Sequence, residues 1–379
     1  MTDAQAVTPA EVWDRLRADD PLRILDIRDR PAVDQWRLDG DAVAFTHVPR
    51  AKLLQAKATE TLDDVVADIE GEGPITVVCA EGRASDEIAA FLREAGHDAR
   101  NLTEGMEGWA RLYESVELDA DPTVLQYQRP SSGCLSYMIV DGDAALVLDP
   151  LAAFVDRYVA DAEERGATVR FAVDTHVHAD HVSGVRELAD ATGATAVVPE
   201  RALERGLGFE AATVGDGDTL DVGGTAVEAV YAPGHTTDMT AFVVGDVLLA
   251  GDSLFVESVA RPDLEVDDDG VEALARDLYA TLHDRFGAFE DGTLVAPAHH
   301  GEGVAPGEDG SYTATLGTLR ETLALYGLSE AAFVDRITSG VGPRPANDAE
   351  IIAINLGHRT VDRETALELE LGPNNCAAG

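Results

Sequence analysis

At 379 residues the chain exceeds one typical domain, so two domains are expected. Its apolar share of 45% suits a globular core, but its formal charge of -43, from 28 Lys and Arg against 71 Asp and Glu, is far from ordinary. Such an acidic chain repels nucleic acid and anionic membrane surfaces, and neither is expected as a partner.

The acids are spread along the whole sequence, and Lys52 and Lys57 are the only lysines. This reads as a halophilic surface, solvated for high salt, where screening removes self-repulsion. The densest acidic cluster, Asp267-Asp268-Asp269, is expected to be a loop face. Cys79, Cys134 and Cys376 form an odd, sparse set, which argues against a disulfide framework and for a reducing, cytoplasmic setting. No apolar run is long enough to span a bilayer, and no signal peptide is expected before Thr8. Cys376-Ala377-Ala378-Gly379 superficially fits a prenylation box, but Gly is a poor last residue and no polybasic segment precedes it.

In chain order, Thr8-Pro9-Ala10-Glu11 predicts a helix start with a hydroxyl cap, a proline in the first turn and a capping-box glutamate. A strand at residues 24–27 follows, then Trp36, the Val48-Pro49 turn and a polar helix near residues 62–69. A strand at residues 75–78 leads into Cys79-Ala80-Glu81-Gly82-Arg83-Ala84-Ser85, and a helix with Ile88, Phe91 and Leu92 on one face stops at Gly96. Alternating strands and helices mean a mostly parallel sheet. Cys79 ends a buried strand, opens a tight loop and precedes a helix N-terminus. Amide dipoles, the helix dipole and Arg83 would there favour the thiolate.

Asp26-Ile27-Arg28-Asp29, the Val48-Pro49 turn, the Cys79 loop and Gly105-Met106-Glu107-Gly108-Trp109 together resemble a rhodanese, or sulfurtransferase, domain. The likeness covers about residues 8–115, and the first domain is set at residues 1–117. It implies that Cys79 carries sulfur as a persulfide and that Arg83 helps bind substrate. The family loop commonly reads C-x-x-G-x-R-S; here Arg83 stands one place early and Ala84 fills the usual Arg slot. That favours persulfide handling over transfer from thiosulfate.

Residues 118–123 are acidic and, past Leu118, lack large apolar side chains; they read as a linker, and the second domain is set at residues 123–379. Residues 136–140 and 144–148 alternate around Asp141-Gly142-Asp143, a hairpin signal, and Asp149-Pro150 ends the second strand. A helix with Phe154, Val155, Tyr158 and Val159 ends at Gly166. A buried strand at residues 169–173 then runs into Thr175-His176-Val177-His178-Ala179-Asp180-His181. Three imidazoles and a carboxylate within six positions suit zinc, iron or manganese and poorly suit calcium. A helix with Val185 and Leu188 follows, then strands at residues 195–198, 226–231 and a long one at 242–250. Further donors stand at strand ends: His235 in Pro233-Gly234-His235-Thr236, Asp252 in Gly251-Asp252-Ser253, and His299 in Pro297-Ala298-His299. Singly, each would be a satisfied loop histidine or a turn acid; jointly, they stand where a rigid scaffold builds sites. A surface loop at residues 301–310, a helix at 315–326 packed on the sheet and a disordered tail from Pro373 complete the expectation.

H-x-H-x-D-H, P-G-H-T, G-D-S and P-A-H, in that order, resemble the metallo-β-lactamase superfamily over about residues 123–379. The resemblance implies an α/β protein in which a rhodanese-like parallel sheet with helices precedes an αββα metallo-β-lactamase sandwich. Thr175 to His181, Pro233 to Thr236, and Asp252-Ser253-Leu254-Phe255 with Arg261-Pro262-Asp263 look like the persulfide dioxygenase branch, with the glyoxalase II branch as near neighbour. The first implies one ferrous iron (Fe2+) held by His176, His235 and Asp252, with His178, Asp180, His181 and His299 around them, Asp180 catalytic and Arg261 binding substrate. The second implies a thioester hydrolase with zinc (Zn2+), one or two ions, the second held by the same surrounding residues and bridged by Asp252. A low-molecular-weight thiol persulfide and O2 are the partners of the first reading, and a homodimer is the assembly allowed for. Where that branch continues P-A-H with Asp-Tyr, this chain has His300-Gly301, so a thiol other than glutathione, or a persulfide on Cys79, is expected. Arg344-Pro345-Ala346-Asn347, with Ile351, Ile352 and Asn355, resembles the family's C-terminal segment, placed at the substrate mouth.

Overall fold

The computed structural model describes residues 5–266, 268–301, 303–339 and 344–371. Cys376 and the tail from Pro373 lie outside the described residues. The chain divides into two units, one built on residues 1–112 and the other on Tyr113–Gln128 with Ser132–Glu370. The second takes in the strand Glu114–Glu117, which pairs antiparallel with Thr123–Gln128, so residues 118–122, read as a linker, connect two strands of one sheet.

The first unit is a five-stranded sheet in the order Ala6–Val7, Ala99–Leu102, Ile75–Val78, Leu22–Asp26, Val43–His47, all neighbours parallel. Its first helix, Pro9–Arg17, carries the expected capping box, with Thr8 and Glu11 bonded reciprocally. Ile75–Val78 is buried at every residue and delivers Cys79 to the parallel sheet's C-terminal edge. The helix Arg83–Glu94 starts there and buries Ile88, Ala89, Phe91 and Leu92, the face that its apolar spacing predicts.

The second unit holds two facing sheets. One has seven strands, in the order Ala212–Val214, Thr195–Pro199, Thr168–Val173, Ala144–Leu148, Leu135–Asp141, Thr123–Gln128, Glu114–Glu117. The other has six, Thr219–Val222, Thr225–Tyr231, Thr240–Val244, Val247–Gly251, Leu294–Pro297, Ala314–Thr315. Successive side chains alternate between two cores, because a strand points neighbours to opposite faces. Tyr137, Ile139, Leu146 and Leu148 face inward against Phe242, Val244 and Leu249 of the other sheet. Met138, Val140, Ala145 and Val147 face outward against Val155, Tyr158, Val185 and Leu188 of two helices. Beyond the second sheet, Leu248 and Ala250 pack on Ala275, Leu278, Leu316, Leu319 and Phe333. Helix, sheet, sheet, helix is the expected sandwich, filled on both faces of each sheet.

Three expectations are corrected. The long strand at 242–250 is a hairpin, Thr240–Val244 and Val247–Gly251, turned at Gly245-Asp246 with Gly245 at φ 54°. The acidic cluster is not a loop face throughout, because the helix Asp268–Ala280 starts within it; acidic residues suit a helix N-terminus, and Asp267 lies outside the described residues. The helix expected at 315–326 is Leu316–Thr322 followed by a 3-10 turn, and Leu316 and Leu319 pack on the second sheet. No helix among the described residues is long and apolar enough to cross a membrane.

One glycine sets how closely this scaffold approaches its site. Gly234 has φ 140°, and a Cβ on it would stand 2.4 Å from Leu278 Cβ and 2.5 Å from Leu278 Cα. The turn carrying His235 thus lies against helix backbone. Gly234→Ala is expected to cost on the order of 2–4 kcal/mol of stability, read by denaturant unfolding, because it adds both strain and overlap.

Candidate functional site

Four strand ends of the second unit converge. Thr168–Val173 leads into the histidine-rich turn, Thr225–Tyr231 into His235, Val247–Gly251 into Asp252 and Leu294–Pro297 into His299. The sequence-predicted donors His176, His178, Asp180, His181, His235, Asp252 and His299 are all buried. They fall into three groups rather than one. His176, His235 and Asp252 offer ligand atoms that lie within 4.8 Å of one another. Asp180, His181 and His299 form a second such group, joined by Cys134. His178 turns to Asp149 and Asp174 in a third.

The first group has the atoms a metal needs. His176 Nε2 and Asp252 Oδ2 are 3.8 Å apart, both buried, and neither has a hydrogen-bond partner. His235 Nε2 stands 3.5 Å from the same oxygen. Orphaned buried donors of this kind are costly unless a cation is shared among them. Outer partners hold the rings. His235 Nδ1 lies 3.0 Å from the Arg261 carbonyl, which can only accept, so Nδ1 carries the proton and Nε2 faces inward as a lone pair. His176 Nδ1 meets the Thr175 hydroxyl at 2.9 Å, and that hydroxyl donates to Asp149 at 3.0 Å. Burial, with His178 and His235 nearby, keeps His176 far below the usual histidine range, and burial also lowers His235, so both are neutral and able to ligate.

The second group is largely bonded within itself, although His181 Nε2, like His176 Nε2, is buried without a hydrogen-bond partner. His299 Nδ1 lies 2.7 Å from Asp252 Oδ1 and its Nε2 lies 2.7 Å from Asp180 Oδ2. His181 Nδ1 is 3.2 Å from the same Asp180 oxygen, and the Cys134 thiol donates to it at 3.4 Å. Burial pushes Asp180 and Asp252 up, but the imidazoles outweigh it and hold both below the carboxylate range. Burial also disfavours a charged His181, yet Asp180 raises it well above a free histidine.

The third group anchors the turn. Asp149 Oδ1 accepts the Thr175 amide at 2.7 Å and faces His178 Nε2 at 3.0 Å. Ser183 donates to Asp174, whose carboxyl burial raises to about 7. Asn355 donates to the His178 carbonyl at 3.0 Å and the His181 carbonyl at 2.8 Å, and accepts the Ser183 amide at 2.9 Å. The C-terminal segment therefore clamps the turn. Arg261, expected to bind substrate, is buried and paired with Asp263 at 2.8 Å, and its carbonyl faces His235.

In the first unit, Cys79 is buried and its sulfur accepts three hydrogen bonds, from the Gly82 amide at 3.1 Å, the Ser85 amide at 3.3 Å and the Ser85 hydroxyl at 3.1 Å. Gly82 must be glycine: φ is 81° and a Cβ would sit 2.6 Å from the Glu104 amide nitrogen. Arg83 does not take part, since its side chain is 84% exposed and paired with Glu81. Sequence reasoning gave Cys134, Asp149 and Asp174 no role in the site. Asp149 was marked only as a strand end, and nothing in Ser132-Gly133-Cys134 distinguishes a site cysteine from a core one.

Comparison with known proteins agrees with this architecture. Residues 130–320 match the metallo-beta-lactamase superfamily model and residues 8–112 the rhodanese-like domain model. The persulfide dioxygenase ETHE1 of Homo sapiens is 30% identical over 193 residues, 48% of this chain and 71% of that protein. Among solved structures, ETHE1 from Myxococcus xanthus is 28% identical with a TM-score of 0.54, covering 62% of this chain and 98% of that one. A metallo-beta-lactamase from Staphylococcus aureus subsp. aureus COL is 27% identical with a TM-score of 0.55, covering 62% of this chain and 72% of that one.

The Thr175 relay makes a quantitative test. Thr175→Val removes the hydroxyl between His176 and Asp149 while keeping the shape of the side chain. Metal affinity, read by chelator competition, is expected to fall about 10- to 100-fold, as for other groups that orient a ligand from behind.

Proposed function

Because this chain belongs to the metallo-beta-lactamase superfamily, is a relative of the persulfide dioxygenases and carries a rhodanese-like domain ahead of that fold, we propose that this metal-dependent enzyme is itself a persulfide dioxygenase. It converts R–S–SH, O2 and water to R–SH, sulfite and two protons. The reading rests on one observation: the unpaired atoms of His176 and Asp252 meet His235, while both nitrogens of His299 are already bonded to Asp252 and Asp180. Two imidazoles and one carboxylate are a donor set that would hold a single ferrous ion. When bound, that ion would supply the redox chemistry with dioxygen.

The chain's own groups do the rest. Arg261, through its carbonyl, and Thr175 fix the two ligand rings. Asp180, ionised between His181 and His299, holds those two rings in place beside Asp252. Cys79 carries sulfane sulfur: its thiolate attacks the outer sulfur of R–S–SH, the S–S bond breaks, and R–S⁻ leaves while Cys79–S–SH remains. Amides of Gly82 and Ser85 stabilise the anionic sulfur throughout.

A second reading is favoured by the second donor group, in which Cys134, Asp180, His181 and His299 lie close enough to share an ion. Two metals would make a hydroxide nucleophile for thioester hydrolysis. Metal analysis and oxygen uptake separate the two. The dioxygenase should hold one iron per chain and consume dioxygen with a persulfide, releasing sulfite in equal amount. Two ions per chain with thioesterase activity and no oxygen uptake would replace it with the hydrolase. Asp252→Ala should lower metal affinity by roughly 100-fold or more, since it removes a ligand that second-layer losses only perturb. For the first unit, Cys79→Ser should abolish persulfide detected on the chain by mass spectrometry and leave the metal content unchanged.

A further inference from the structure

Beside the metal-binding loops, two buried hydrogen-bond acceptors have no donor. Leu254 bridges Val259, and the Phe255 amide donates to the Ser258 carbonyl at 2.9 Å, so residues 254–259 make a tight turn just past Asp252. Phe255 lies edge-on to His299, with ring centroids 6.5 Å apart, which sets this turn against the loop that follows His299. Glu257, near the tip, reaches that loop: its Oε1 accepts the Gly301 amide at 2.6 Å. Its Oε2 is buried and has no partner from another residue. His300 lies in the same loop, stacked flat on Tyr312 at 3.8 Å. Its Nδ1 is 3.1 Å from the Gly301 carbonyl, which only accepts, so Nδ1 carries the proton and Nε2 is a bare acceptor. That nitrogen is also buried without a partner. Both side chains are thus anchored on Gly301, one on its N–H and one on its C=O. Neither has a task in the chemistry assigned above, and unsatisfied buried acceptors are unfavourable unless a ligand supplies donors.

We infer that Glu257 and His300 form the subsite for the carrier end of the persulfide, and that they select a carrier thiol bearing an ammonium group; this rests on the persulfide reading. An ammonium offers three N–H donors and a positive charge, which answers two acceptors of which one is anionic. A carrier ending in a carboxylate would bring no donor and would set like charge against Glu257 in a partly desolvated position. The ligand class is a small aminothiol persulfide.

Cysteamine and 3-mercaptopropionate are matched probes, two-carbon thiols ending in an ammonium and in a carboxylate. Calorimetric titration of the metal-loaded protein should show cysteamine binding at least about tenfold tighter. Glu257→Gln keeps an oxygen for the Gly301 amide and removes the charge, and should bring the two affinities to within about twofold. His300→Phe keeps the stack on Tyr312 and should weaken cysteamine alone. Equal binding of the two thiols, or a preference that survives Glu257→Gln, overturns the inference. Oxygen uptake with the persulfides of the same thiols is read separately. Uptake with neither sinks the dioxygenase reading, while the binding preference still decides the subsite.

Discussion

The Asp149 carboxylate is the buried charge on which the metal-binding turn depends. It ends the strand Ala144–Leu148 at φ 51°, with 1% of its surface exposed, and receives the Thr175 amide, the Thr175 hydroxyl and the His178 ring. A carboxyl group removed from water is tolerated only with partners such as these. In return it fixes a turn in which four potential ligands occur within six residues. His176 is oriented through Thr175, and His178 is drawn away from the His176–His235–Asp252 group. The turn therefore presents one imidazole to that group, not two. This division of a dense motif leaves His176 as the turn's one ligand in that group.

Much of the site was legible because metal chemistry is demanding about residue type. Imidazoles and carboxylates at strand ends are rare enough in combination that H-x-H-x-D-H, P-G-H, G-D-S and P-A-H could be read together without coordinates. What failed was anything set by tertiary partners. Cys134 joins Asp180 only because Leu135–Asp141 runs beside the end of another strand, with Cys134 bridging His299. Glu257 matters through Gly301, 44 residues later. Arg261 contributes its carbonyl, and no side-chain pattern announces a backbone role.

The fold shows the same split. The capping box at Thr8 and the hairpin around Asp141-Gly142-Asp143 were readable because both signals are local. The hairpin of Thr240–Val244 and Val247–Gly251 was not, because Gly245-Asp246 interrupts an apolar run whose two halves bury the same faces. Burial on both sides erases the alternation that would expose a turn. The helix Asp268–Ala280 was hidden for the opposite reason, since its acidic start resembles a solvated loop until the helix dipole is considered.

Two cysteines in this chain meet sulfur-stabilising surroundings by different physics. Cys79 sits among N–H and O–H donors, three of which bond its sulfur. Cys134 sits among titrating side chains; burial and Asp180 oppose its thiolate, while His299 and His181 outweigh them and lower its pKa.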